Sequence, residues 1–188
     1  MPKPLPNHWS AEPCLDLINS QWSDHLGADQ RYDRLPLPVW RRAFLKHWGY
    51  RVDDPDDRNA VALLRRLRTA LRLTLEAYIN GTPLRPSLRR EIQGEINRSR
   101  FVMRIARRAG KESMVLERAG RPWDVVTADL AMSAMRLIGE SRLVKVCANP
   151  HCSWMFVDES KSGSRRWCEA SICGSLVNVR RYRLAHRD

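Results

Sequence analysis

The sequence has no run of 18 or more apolar residues, so no segment is expected to cross a bilayer as a single helix. Its first residues, Met1 to Trp9, lack the apolar core of a signal peptide. The expectation is a cytoplasmic protein whose thiols stay reduced, so that clustered cysteines bind metal rather than form disulfides. Acid is in short supply, with 21 Asp and Glu against 33 Lys and Arg and a net charge of +12. That excess suits a polyanionic partner, most often nucleic acid, although a basic surface is often only a solvated one. Histidine is scarce, and His8, His25 and His47 are too scattered to support a catalytic pairing. No glycine-rich phosphate loop, His-Glu-x-x-His or Gly-x-Ser-x-Gly pattern occurs. The chain is therefore not expected to be an enzyme. It also lacks internal repeats, low-complexity tracts and any Gly/Ser linker.

What is present is 188 residues, 43% of them apolar, enough for one core plus a small module. The expected class is mainly α with a small β-hairpin. A helical domain is expected over 1–141 and a small cysteine-bearing module over 142–188. Residues 13–22 read as a short apolar helix with proline in its first turn, and 23–37 as a polar loop. Pro36 and Pro38 introduce a second short helix, from about Val39 to Trp48. A long helix is expected from Pro55 to Asn80, with Asp54 as N-cap, Pro55 in the first position and Asp56 and Asp57 facing the helix dipole. Ala60, Leu64, Leu67, Leu71, Leu75 and Tyr78 make its buried stripe, Arg65, Arg68 and Arg72 lie on another face, and Gly81 ends it. Ser87 to Ile96 reads as a further helix. Phe101–Ile105 and Met114–Glu117 read as a hairpin around Arg107 to Lys111. A last long helix opens at Pro122, with Val126, Leu130, Ala134 and Leu137 directed to the core.

Cysteine is the most informative residue. Of five, four form two matched pairs, Cys147-x4-Cys152 and Cys168-x4-Cys173, with fifteen residues between them. Two pairs across a short loop deliver four thiolates to one tetrahedral Zn2+, and four sulfurs leave no open position, so the expected zinc is structural, one per chain. The plain alternatives are four unrelated buried cysteines, or His151 in place of one thiolate. Cys14 sits among Leu15, Leu17 and Ile18 and reads as a small core residue. Residues 153–167 read as a strand, a turn and a return, with Trp154, Phe156 and Trp167 forming a miniature core over the metal. Lys161, Arg165 and Arg166 surround the turn. From Ser175 the chain reads as a basic helix, with Arg180, Arg183 and Arg187 on one face and Val179, Tyr182 and His186 as its packing side.

Two segments resemble known families. Cys147-Ala-Asn-Pro-His-Cys152, Ser153 to Asp158, Arg165-Arg-Trp-Cys168, Cys173-Gly174 and Val179 to Arg183 closely resemble the CGNR zinc-finger proteins of bacteria. Cys14-Leu-Asp-Leu-Ile-Asn19 resembles the opening of the ABATE domain that accompanies that finger. The resemblance implies a transcription regulator with a mostly helical N-terminal domain and a DNA-binding finger. This chain departs from the motif after Cys173-Gly174, where Ser175-Leu176 stand in place of Asn-Arg. The combined expectation is a nucleoid-associated regulator of double-stranded DNA, contacting phosphates through Arg165, Arg166, Arg180, Arg181 and Arg183. A homodimer and a small-molecule effector are compatible with it. A zinc-stabilised protein-interaction module and an RNA-binding protein are the alternatives.

Overall fold

Proline punctuates the chain. Pro13, Pro38, Pro86 and Pro122 open α1 (Pro13–Asn19), α2 (Pro38–His47), α4 (Pro86–Ile96) and α5 (Pro122–Gly139). The fixed φ of proline suits the first helical position, where its missing N–H has no partner to lose. The structure is a computed structural model and describes residues 9–23 and 30–186.

All seven residues of α1 are buried. The helix lies against α3 (Arg58–Ile79) and α5 and reaches the last strand, β6 (Met155–Val157). It ends three residues earlier than the sequence predicts. Ser20 turns back onto the Leu17 carbonyl through both its Oγ and its N–H, and the chain leaves as β1 (Gln21–Ser23). This strand pairs antiparallel with β2 (Arg31–Asp33), where a polar loop was expected. Trp22 stacks on Tyr32 at 5.2 Å. An aromatic cross-strand pair of this kind favours strand over helix at position 22.

The long helix α3 spans Arg58–Ile79, and its N-cap is Asp57, whose carboxylate accepts the Asn59 N–H at 2.8 Å. The expected start at Pro55 is three residues early. Asp54 instead closes a turn onto the Asp56 N–H, and Asp56 is held by Arg41 and Arg42. Ala60, Leu64, Leu67, Leu71 and Leu75 are buried as predicted, and Gly81 follows with φ +63°. Arg68, placed by spacing on a face other than the apolar stripe, is buried as well. Its guanidinium donates to Ser20 Oγ at 2.8 Å and to both oxygens of Asp33. Burial alone would raise the Asp33 pKa, but the hydrogen bonds and charge of Arg68 outweigh it and hold the carboxyl below its ordinary value.

The expected hairpin is longer and tighter than its apolar runs suggest. β3 (Arg100–Arg108) and β4 (Lys111–Ala119) pair in full register, leaving only Ala109 and Gly110 in the turn. Both have positive φ, +50° and +78°, the geometry that matches strand twist in a two-residue hairpin. In α5, Val126, Leu130, Ala134 and Leu137 are buried, and the helix packs on α1, α3 and α4.

The core does not stop at residue 141. β5 (Val144–Val146) and β6 (Met155–Val157) pair antiparallel, and Val144, Met155 and Val157 join the same apolar cluster as α1, α3 and α5. The strand within 153–167 is therefore real, but its partner is the segment leading into the first cysteine pair. No return strand forms. Asp158 accepts the N–H groups of Ser160 (3.0 Å) and Arg165 (2.9 Å) and curls the intervening chain into a loop.

Candidate metal centre

The four paired cysteines converge because backbone hydrogen bonds fix the chain around each of them. Cys147 follows β5 and donates its N–H to the Trp154 carbonyl at 2.9 Å, extending the hairpin. Cys152 donates to the Asn149 carbonyl at 2.8 Å, and buried Asn149 takes the His151 N–H on its Oδ1 at 3.2 Å. The Cys168 N–H points at Cys147 Sγ, 3.5 Å away. Cys173 sits in a five-residue π-helical turn, Ala170–Gly174, that leads directly into α6 (Ser175–Ala185).

All four Sγ atoms lie within 4.8 Å of one another. Cys152 and Cys168 Sγ are 3.8 Å apart, and Cys168 and Cys173 Sγ 3.7 Å. A tetrahedron with Zn–S bonds of about 2.3 Å has edges of about 3.8 Å, so these separations fit one zinc ion. None of the cysteines is in a disulfide. Without a cation the four thiols compete for protons. Hydrogen bonding led by Cys152 pulls Cys147 below the ordinary thiol range, while hydrogen bonding led by Cys147 pushes Cys168 above it. A dication binding four thiolates removes that conflict. The ligand set is the one predicted, and His151 is outside it. Cys14 is far from the cluster in the helical core, where burial pushes its thiol up to about 12.

Phe156 is buried against the cysteines, with Trp154 and Trp167 half-buried beside it, the miniature core expected from the sequence. A Cβ on Gly174 would meet Trp167 Cδ1 at 3.0 Å, so a residue without a side chain lets the ring cover the last ligand. Two polar groups that sequence reasoning overlooked shape the loop. Lys145 Nζ donates to Asp158 Oδ2 at 2.6 Å and to the carbonyls of Gly163 and Arg165. The only sequence signal was a lysine between Val144 and Val146, on the opposite side of a short strand from the core.

The predicted cationic residues divide. Arg165 is exposed but folds back on its own loop: its Nε donates to the Trp167 carbonyl at 2.9 Å, another nitrogen reaches the Cys168 carbonyl, and the guanidinium lies 4.7 Å from the Phe156 ring centre. Arg166 is exposed beside Trp167. Arg181 and Arg183 are exposed on α6, Arg180 is half-exposed, and Arg187 is outside the described residues, as are His8 and His25. No residue of α6 is buried, which corrects the expected packing side. Val179 and Tyr182 are exposed, and Tyr182 stacks on His186 of its own helix, at 4.1 Å.

The helical part and the metal module are joined by hydrogen bonds as well as by shared core. Asn19, the last residue of α1, donates its Nδ2 to the Met155 carbonyl at 2.8 Å and accepts the Met155 N–H at 2.9 Å. Arg72 donates to the Ser153 carbonyl and Tyr78 to the Arg142 carbonyl. Asp16, in the same short segment as Asn19, takes the Ser10 N–H and the Trp48 indole N–H.

No helix among the described residues is long and apolar enough to cross a membrane. Comparison with curated proteins finds no match. Two family models match, in the order the geometry suggests. The CGNR zinc finger covers residues 143–186, the segment that holds all four ligands. The ABATE model, described as "Putative stress-induced transcription regulator", covers residues 11–141, more than half of the chain. The protein thus belongs to the ABATE family, with a CGNR zinc finger as its C-terminal part.

Proposed function

We propose that this protein regulates transcription by binding duplex DNA through α6 and the loop before it. The observation that carries the reading is α6 itself. The helix starts two residues after a zinc ligand, buries none of its residues, contains no acidic side chain and carries Arg180, Arg181 and Arg183. A helix held at one end by a metal, with no residue buried along its length, is suited to a groove or a phosphate backbone. Arg166 extends the cationic surface, while Arg165 is assigned to holding the loop around the metal. Zinc supplies rigidity here and no chemistry, and the proposal is for a binding protein rather than an enzyme, acting at the nucleoid. An RNA reading needs bases to stack on Trp154, Phe156 or Trp167. Phe156 is buried and the two tryptophans are half-buried over the cysteines, which favours DNA.

The test is the salt dependence of binding to duplex DNA, with RNA measured at matched salt. Each lost phosphate contact lowers the slope of log affinity against log salt by about 0.9, so replacing both Arg180 and Arg183 with Ala should lower it by about 1.8. Arg65 and Arg66, exposed on α3, are the control pair. Arg68 is unsuitable as a control because it is buried. Full affinity in a zinc-loaded Arg180/Arg183 variant would move the interface elsewhere. Absence of duplex binding at low salt would favour a protein-interaction module.

A further inference from the structure

The β3–β4 hairpin is oriented against the usual rule for a sheet. Strand alternation puts Phe101, Met103 and Ile105 on one face with Met114 and Leu116 opposite them. All five are exposed, by 48% to 77%. The other face carries the Arg104–Glu117 ion pair at 3.3 Å and the exposed Arg100, Arg108 and Lys111, with Val102, Ala106, Ser113, Val115 and Ala119 half-buried between them. The apolar face is thus the one left in solvent. Two strands alone are marginal in water, and a third layer is what such a ribbon lacks.

We infer that a second copy of this chain covers that face, in a two-fold dimer built from the two hairpins. Two observations select this occupant. The first is area. The five side chains present roughly 600 Å2, the top of the range for one patch on a monomer. Covering it on both copies buries about 1,200 Å2, the lower bound of a standard interface. The second is self-complementarity. A two-fold axis running along the strands, between two facing hairpins, lays β3 of one copy over β4 of the other. Each cross-strand pair then faces its own image. Ile105 meets Met114 and Met103 meets Leu116, both direct partners in the register. Toward the turn the same face ends in the pair Arg107 and Glu112, so each Arg107 meets the second copy's Glu112. Toward the base it ends in Phe101, with the Arg118 guanidinium 4.5 Å from its ring centre. Apolar residues fill the middle and opposite charges match at the rim, as in specific interfaces.

The dimer does not depend on the DNA reading, and its test contains no nucleic acid. Sedimentation equilibrium of the zinc-loaded full chain should give a dimer at roughly micromolar concentration. Ile105→Glu with Met114→Glu should weaken it by at least about 100-fold, and Ile105→Ser by about tenfold, with circular dichroism unchanged because both positions are exposed. Arg107→Glu should weaken it about two- to fivefold, and adding Glu112→Arg should restore it, because the swapped pair still meets its image. A wild-type monomer across this range, or a dimer indifferent to these four changes, overturns the proposal.

Discussion

Asn19 couples α1 to the zinc module with a single side chain. Its amide offers a donor and an acceptor in the geometry of a peptide group, and Met155 presents the complementary pair from β6. Both residues are almost fully buried, so no water can replace either bond. Asn19→Ala would leave the Met155 N–H and C=O unsatisfied, which costs about 2–4 kcal/mol for two buried groups. In a chain of this length that lowers Tm by about 5–15 °C. Thermal melting of the zinc-loaded variant checks this, with zinc content measured in parallel. An unchanged Tm would show that the bonds contribute nothing net. The sequence contains the residue within its most recognisable N-terminal segment, yet no local pattern could assign its role. The partner is 136 positions away, and only the packed fold reveals it. Arg68 has the same history, since helical spacing placed it outside the stripe but Asp33 and Ser20 draw it inward.

Among the elements, those organised by local periodicity or by metal spacing were legible. The stripe of α3, the buried positions of α5 and the two cysteine pairs follow from the sequence because each obeys a short-range rule. The β1–β2 pair and the β5–β6 pairing were not, because three-residue strands are too short to show alternation. The metal-holding elements are also those with the least core of their own. Elemental analysis of protein purified without added metal should give about one zinc equivalent per chain. Removing it takes away the cation that allows four thiolates to sit within 4.8 Å of one another. Chelation should then raise hydrogen exchange over 147–174 and loosen the start of α6, while α3 and α5 keep their protection. β6 should lie between these extremes, since Met155 and Val157 belong to the helical core and Asn19 still holds the strand. Uniform loss of protection would instead mean that zinc stabilises the whole chain as one cooperative unit.

For the whole molecule, the question is whether the break near residue 141 separates two folding units. The two family matches meet there, at 141 and 143. The physical contacts do not respect it: Val144, Met155 and Val157 lie in the cluster built by α1, α3 and α5, and Asn19, Arg72 and Tyr78 all donate across it. A fragment spanning 142–188 retains every zinc ligand and the small core of Phe156, Trp154 and Trp167. It is only 47 residues long, near the size at which a chain needs a metal to fold, and it exposes three core side chains that the helices normally cover. Each such side chain contributes about 1.5–3 kcal/mol when fully buried. The fragment should therefore bind zinc but hold it at least about 100-fold more weakly than the intact chain, because much of the binding energy goes into ordering β5 and β6. Competition against a chromophoric chelator measures this. The complementary fragment, ending at 141, should expose the bed of β6 and associate or melt earlier than the full chain. Equal zinc affinity in fragment and full chain would show that the contacts across residue 141 are passive. The finger would then be an autonomous unit, and a DNA interface on α6 could be studied without the helical domain.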